Sequence, residues 1–237
     1  MELDIKKIKH IHFIGIGGIG ISAIARMMIH DGKKVTGQDI QNSEIVKELV
    51  KEGASVQTGQ HYEHIPLDAE LVVYTIAIEN YAPDLFEKLK SQTNIPIRSY
   101  PQMLGIVSVG KYTIAIAGTH GKTTTTGMIA GILRDEGKDP TVIIGSLLVG
   151  DKSNFIAGKS EFFVVEACEY KRSFLNISPK VLVITNIDLD HLDYYKDIED
   201  IKSAFRELAM KVPADGFVVC NPKDENISDV VKDIKAK

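Results

Sequence analysis

Cysteine is scarce in this 237-residue sequence, and its two cysteines, Cys168 and Cys220, are far apart and show no metal-type spacing. A disulfide framework is therefore excluded, and the simplest expectation is a reducing, cytoplasmic compartment. An excess of basic residues is absent too: 28 Lys and Arg against 32 Asp and Glu give a net charge of -4. That balance offers no broad attraction to nucleic acid or to an anionic membrane, so any anion site must be a local pocket. The longest apolar stretch, "HIHFIGIGGIGISAIARMMI", is interrupted by four glycines and Arg26. With no small-residue cleavage site, it reads as neither a signal peptide nor a membrane span. Internal repeats, low-complexity tracts and lipidation signals are lacking. One further lack is a single residue. The phosphate-loop pattern G-x-x-x-x-G-K-[ST], counted back from Lys122, asks for glycine at position 116, and Ile116 stands there.

What is present suits a folded α/β protein: 44% hydrophobic residues, 25% charged residues and 19 glycines. The length allows two domains, each with its own core. Strand-like runs near 10–14, 34–38, 55–58, 69–75 and 95–98 alternate with helical patterns at 19–31, 43–52 and 83–91. A connector and short helix at 99–105 lead to a second series. It comprises strands 112–117, 140–144, 161–166, 180–185 and 216–220, with helices 122–136 and 197–211. Parallel strands need crossover connections, so this alternation predicts parallel sheets covered by helices. The expected architecture is an N-terminal Rossmann-like parallel-sheet domain over 1–108 and a P-loop ATPase-type α/β domain over 109–237.

The first candidate site is "GIGGIG". Gly15, Gly17 and Gly20 form G-x-G-x-x-G between a strand and a helix, with Gly18 as an extra glycine. Such glycines permit a tight turn, a close approach to a pyrophosphate and helix–strand packing, and the helix N-terminus offers amides to the anion. Asp39 ends the next strand, where a ribose-binding acid sits in dinucleotide folds. The pattern suits a nucleotide-type ligand, and leaves dinucleotide and nucleotide sugar both open. An NAD-dependent oxidoreductase would rest on these glycines and Asp39 alone. His10 and His12 alternate on the first strand and are expected to be structural, whereas His30 and His64 read as surface residues.

The second candidate site lies at three strand ends, where ligands bind in open parallel sheets. Strand 112–117 leads into "GTHGKTT", strand 161–166 ends in Glu166, and strand 180–185 leads into "NIDLDH". Lys122 offers a point charge for the β- and γ-phosphates and Thr123 a hydroxyl for Mg2+. Glu166 at a neighbouring strand end would complete the metal shell, with Asn186, Asp190 and His191 as candidates on the next. The acidic run "KDIEDIKSAFREL" reads as a solvated helix face.

Taken together, "GIGGIG", "GTHGKTTTT", "EACEYKRSFL" and "NIDLDHLDYYKD" resemble the Mur ligases, in order and over most of the chain. In that family the loop is G-T-x-G-K-T, which requires no glycine at 116. His120 at the x position and S-F-L after the strand-end glutamate are similar to the alanine-adding branch and set it apart from the ligase that recycles muropeptides. The resemblance implies three domains, for the UDP-sugar, for ATP, and for the incoming amino acid with part of ATP. It implies that Gly118, Thr119, His120, Gly121, Lys122, Thr123 and Thr124 hold the ATP phosphates and that Thr123, Glu166 and His191 bind the metal. Lys122, Glu166 and His191 would form the catalytic set. Gly15, Gly17, Gly18, Gly20, Asp39, His61, Thr75 and Ala77 would line the UDP-sugar pocket. The implied substrates are UDP-N-acetylmuramate and L-alanine, joined through an acyl phosphate at the expense of ATP with Mg2+. Two departures stand out. The family often has Asp where this chain has Cys168, taken as a packing residue outside the site. On that resemblance the central domain is expected to be incomplete and the C-terminal domain to lie outside these 237 residues, so the alternatives are a non-catalytic nucleotide-sugar- or ATP-binding fragment, a chain completed by another, or the muropeptide-recycling ligase.

Overall fold

The computed structural model describes residues 3–92, 94–147 and 153–237. Eleven strands and eight α-helices alternate along them. In the first half these are β1 (His10–Ile14), α1 (Ile19–His30), β2 (Lys34–Asp39), α2 (Glu44–Glu52), β3 (Ser55–Thr58), β4 (Leu71–Tyr74), α3 (Ile78–Tyr81), α4 (Pro83–Gln92), β5 (Ile97–Ser99) and α5 (Tyr100–Ser108). The second half holds β6 (Tyr112–Ala117), α6 (Lys122–Asp135), β7 (Thr141–Ile143), β8 (Phe155–Ile156), β9 (Phe162–Glu166), β10 (Val181–Ile184), α7 (Ile198–Met210), β11 (Phe217–Cys220) and α8 (Glu225–Val231). The chain divides into two compact units, one of Met1–Val107 with Ser153–Phe155, the other of Ser108–Lys152 with Ile156–Lys237.

In the first unit the sheet order is β3-β2-β1-β4-β5, and every pairing is parallel. The chain steps outward from β1 to β3 and then returns to the other side of β1, so the order reverses between β1 and β4. A crevice opens at the carboxyl ends on either side of such a reversal. β1 is buried on both faces, as a central parallel strand must be. The ends of α2 follow from its sequence. Ser43 Oγ accepts from the Val46 N–H at 3.3 Å to start α2, and Gly53, at φ 117°, ends it.

His10 and His12 are buried and structural, as their alternation on β1 suggested. Both rings reach Thr36 Oγ1 at 2.9 Å, and the Gln38 side-chain amide lies 3.1 Å from His12 Nε2. A neutral His12 fits this chain, with Nδ1–H donating to Thr36 and Nε2 accepting from Gln38. Burial, helped by the neighbouring His10 and His64, lowers the His12 pKa to about 4. Gln38 Oε1 then accepts from the His61 N–H at 2.7 Å, which ties the loop after β3 to the sheet. His30 is exposed. His64 is half-buried, contrary to its expected place on the surface, and its Nδ1 is enclosed.

The second unit has the order β11-β10-β6-β9-β7-β8, with β6 parallel to both β9 and β10. The strands that carry the three candidate strand ends are therefore neighbours. Ile116 sits in β6, fully buried, in a cluster with Ile114, Ala130, Val142 and Val164. The strand simply runs through the position where the commoner phosphate loop begins.

Candidate functional site

At the end of β6 the backbone turns through two residues that only glycine suits. Gly118 has φ 138°, and a Cβ there would lie 2.0 Å from Thr185 Oγ1. Gly121 is left-handed at φ 81° and directly precedes α6. The segment after β10 clamps the loop between them. Asn186 Oδ1 accepts from the His120 N–H and its Nδ2 donates to His120 O, both at 2.9 Å. Thr185 Oγ1 donates to His120 O at 2.7 Å, and Thr119 Oγ1 accepts from the Asp188 N–H at 2.9 Å. Asn186, a metal candidate by sequence, is thus a holder of the loop. Thr124 follows on the exposed side of α6.

Lys122 and Thr123, the first two residues of α6, point to different carboxylates. Thr123 Oγ1 lies 3.1 and 3.0 Å from the two oxygens of Glu166, and Glu166 Oε2 also accepts from the Gly145 N–H at 2.8 Å. The Lys122 ammonium reaches Glu169 Oε1 at 3.0 Å as well as the carbonyls of Gly118 and Thr119. His191 does not join the Thr123–Glu166 pair. Its Nε2 lies 3.7 Å from Glu169 Oε1 and 3.9 Å from Asp190 Oδ2. Among the described residues, Glu169, Asp190 and His191 can each bring one ligand atom within 4.8 Å of the others. His191 adopts φ 52°, a left-handed conformation that is strained for a non-glycine residue.

Glu169 is the residue the sequence reading missed. A 3-10 segment, Tyr170–Asn176, follows it with Lys171 and Arg172 both left-handed at φ 51° and 55°. That bend is closed by the Arg172 N–H, which donates to Glu169 O at 2.9 Å. The hydroxyl of Tyr195 donates to the same carbonyl at 2.6 Å. Burial raises the Tyr195 hydroxyl pKa well above its ordinary value, so it stays a donor. The Glu169 side chain is only 2% exposed. Cys168, taken as a packing residue outside the site, is exposed two positions past the end of β9.

In the first unit, Gly15, Gly17, Gly18, Asp39, Thr75 and Ala77 line a cavity of about 300 Å3, together with Gln60, Ser43 and Tyr81. Gly15 is left-handed at φ 74°. Asp39 faces the glycine turn: Oδ2 accepts from the Gly17 N–H at 2.8 Å and Oδ1 from the Gln41 N–H at 3.1 Å. Gly20 and His61 are not among the lining residues. A Cβ on Gly20 would stand 2.6 Å from the Tyr100 ring, so this glycine serves close packing. The His61 ring packs edge-on to His64 with centroids 4.9 Å apart.

A parallel sheet with a glycine turn at its reversal point, followed by a sheet with a G-T-H-G-K-T loop flanked by carboxylates, defines a two-unit α/β nucleotide-binding protein. Comparison with known proteins narrows this. The chain belongs to the Mur ligase family: residues 10–112 match the Mur ligase family catalytic domain, and residues 116–237 the Mur ligase middle domain. It is 45% identical over 236 residues to UDP-N-acetylmuramate--L-alanine ligase of Caldanaerobacter subterraneus subsp. tengcongensis, covering 99% of this chain and 51% of that protein. The enzyme of the same name from Clostridium tetani is 46% identical, with the same coverage. The chain thus spans about half the length of these curated relatives. Among solved structures it resembles the Neisseria meningitides UDP-N-acetylmuramate:L-alanyl-gamma-D-glutamyl-meso-diaminopimelate ligase, with a TM-score of 0.87, 28% identity and coverage of 97% of this chain and 76% of that one. The Thermotoga maritima UDP-N-acetylmuramate-alanine ligase gives 0.79 and 31%, covering 94% and 51%.

Proposed function

We propose that this chain provides the UDP-sugar- and ATP-binding units of an ATP-dependent ligase that joins L-alanine to UDP-N-acetylmuramate. The observation that carries the reading is the 45% identity, along nearly the whole chain, to a protein named for that reaction. The muropeptide ligase is the second reading, favoured by the higher TM-score of 0.87 but opposed by the lower identity of 28%. His120 and the S-F-L run at 173–175 side with the alanine ligase.

The chemistry follows from the groups at hand. The muramyl carboxylate attacks the γ-phosphorus of ATP and ADP leaves. The amine of L-alanine then attacks the acyl phosphate, the amide forms and phosphate departs. Lys122 would meet the transferred phosphoryl group at the start of α6, where helix amides add to its charge. Gly118, Thr119, His120, Gly121 and Thr124 shape the remaining phosphate contacts. The residues present fit Mg2+: a hydroxyl and a carboxylate already face each other at Thr123 and Glu166, hard oxygen ligands of the kind that ion prefers. His191, expected to join them, faces Glu169 and Asp190 instead. Bound at Thr123 and Glu166, Mg2+ would neutralise charge on the phosphates. Catalysis is otherwise positioning and charge neutralisation by this chain's own groups.

In the first unit Gly15, Gly17 and Gly18 would receive the UDP pyrophosphate, with Asp39, Thr75 and Ala77 along the cavity. The Asp39 carboxylate accepts from two backbone amides, which holds it against the glycine turn. Gly20 and His61 would then act by shaping the walls. A cytoplasmic location belongs to the same proposal, since both nucleotides are cytoplasmic. Calorimetric titration with UDP-N-acetylmuramate and, separately, NAD tests the reading: heat from the UDP-sugar alone is expected. Binding of NAD with no response to the UDP-sugar would overturn it.

A further inference from the structure

The Lys122 ammonium has three N–H donors, and three acceptors already surround it: Gly118 O, Thr119 O at 3.1 Å and Glu169 Oε1 at 3.0 Å. An incoming phosphate must compete with at least one of them. The loop carbonyls are neutral and can turn to other donors, whereas Glu169 is a buried anion. Its Oε2 lies 3.0 Å from the same ammonium yet is enclosed and makes no hydrogen bond of its own. Its backbone carbonyl is held by Tyr195 and Arg172, and the side chain is almost wholly shut off from water. Drawing Lys122 away would leave a buried charge without its partner, which is strongly unfavourable. Among the described residues, Asp190 and the His191 imidazole can bring metal-ligating atoms close to Glu169.

On the reading that Lys122 serves nucleotide phosphates, we infer that Glu169 is a positioning residue that makes nucleotide binding conditional on a divalent cation. It holds the ammonium against the loop, and gives it up at little cost only when a cation, shared with His191 and Asp190, meets its own charge. Metal-free nucleotide, which brings more negative charge to a buried anion, is thereby rejected.

The experiment is calorimetric titration of the 237-residue chain with ADP, once in Mg2+ and once in chelator, for wild type, E169Q and E169D. In wild type the Mg2+ complex should bind at least about tenfold tighter than metal-free ADP, the factor that about 1.4 kcal/mol represents. In E169Q the ratio of the two affinities should fall by about tenfold or more, chiefly because metal-free ADP binds better. E169D, which keeps the charge, should retain the wild-type behaviour. An E169Q ratio within about twofold of wild type, or an equal loss in both media, overturns the inference while leaving the nucleotide reading intact. Wild type that ignores ADP in both media sinks that reading and the inference with it. Thermal melts check that the variants fold. Should E169Q not fold, wild type decides alone, and affinities within about threefold of each other in Mg2+ and chelator refute the inference.

Discussion

Replacing Ile116 by glycine restores the commoner phosphate-loop pattern on paper and should damage the protein in practice. The side chain is fully buried against Ala130, Val142 and Val164, and the backbone carbonyl accepts from the Ala167 N–H at 2.8 Å as part of the β6–β9 ladder. Truncating a buried isoleucine to alanine costs about 2–5 kcal/mol through lost transfer energy and the cavity left behind. Glycine in a strand interior adds about 0.5–1 kcal/mol of backbone entropy. Ile116→Gly should therefore lose about 2.5–6 kcal/mol, a large part of the ~5–15 kcal/mol that typically stabilises a domain. Ile116→Val should lose only about 0.5–1.5 kcal/mol. Urea denaturation followed by far-UV circular dichroism gives the stabilities, and ADP calorimetry of the valine variant reports on the loop. The expected series is wild type, Val, Ala, Gly in falling stability, with nucleotide affinity of the valine variant unchanged. A glycine variant within about 1 kcal/mol of wild type that binds ADP more tightly would show that position 116 belongs to the loop after all.

Other perturbations have equally specific outcomes. Gly118→Ala should cost about 2–5 kcal/mol, combining strain at φ 138° with the clash against Thr185, whereas Gly121→Ala, left-handed but in open space, should cost about 1–2 kcal/mol; denaturation of both checks the order. His12 binds its proton less readily folded than unfolded, its pKa falling from 6.5 to about 4. Its contribution is thus complete above pH 6.5 and is lost as the pH drops toward 4, by up to about 3 kcal/mol. Denaturation across that window should show a slope that His12→Gln flattens. Asn186→Ala removes both side-chain bonds to His120 and should weaken ADP binding by about tenfold while leaving the UDP-sugar affinity unchanged, as paired calorimetry would show.

The sequence showed most of the fold because its strands and helices carry strong periods. The β1 and β6 runs are apolar and end in glycine turns, and the α2 boundary is written in Ser43 and Gly53. It missed α8, whose "ENISDVV" is too short to show a helical period, and β8, which is two residues long. Strand ends were legible because chemistry concentrates there, so Lys122, Thr123 and Glu166 were found together. Glu169 was not, since it lies beyond the strand, just before left-handed Lys171 and Arg172, conformations that no residue preference announces. Gly20 shows the converse: its place in the motif suggested a ligand contact, while its space is taken by Tyr100 from 80 positions along the chain.

The central claim is that two separate ligand sites lie in the two units, with Lys122 serving only the second. Titrating Lys122→Ala with ADP in Mg2+ and with UDP-N-acetylmuramate tests it most directly. Loss of ADP binding with UDP-sugar affinity close to wild type is the expected result. A folded variant that loses both ligands, or keeps ADP at wild-type affinity, would contradict the account.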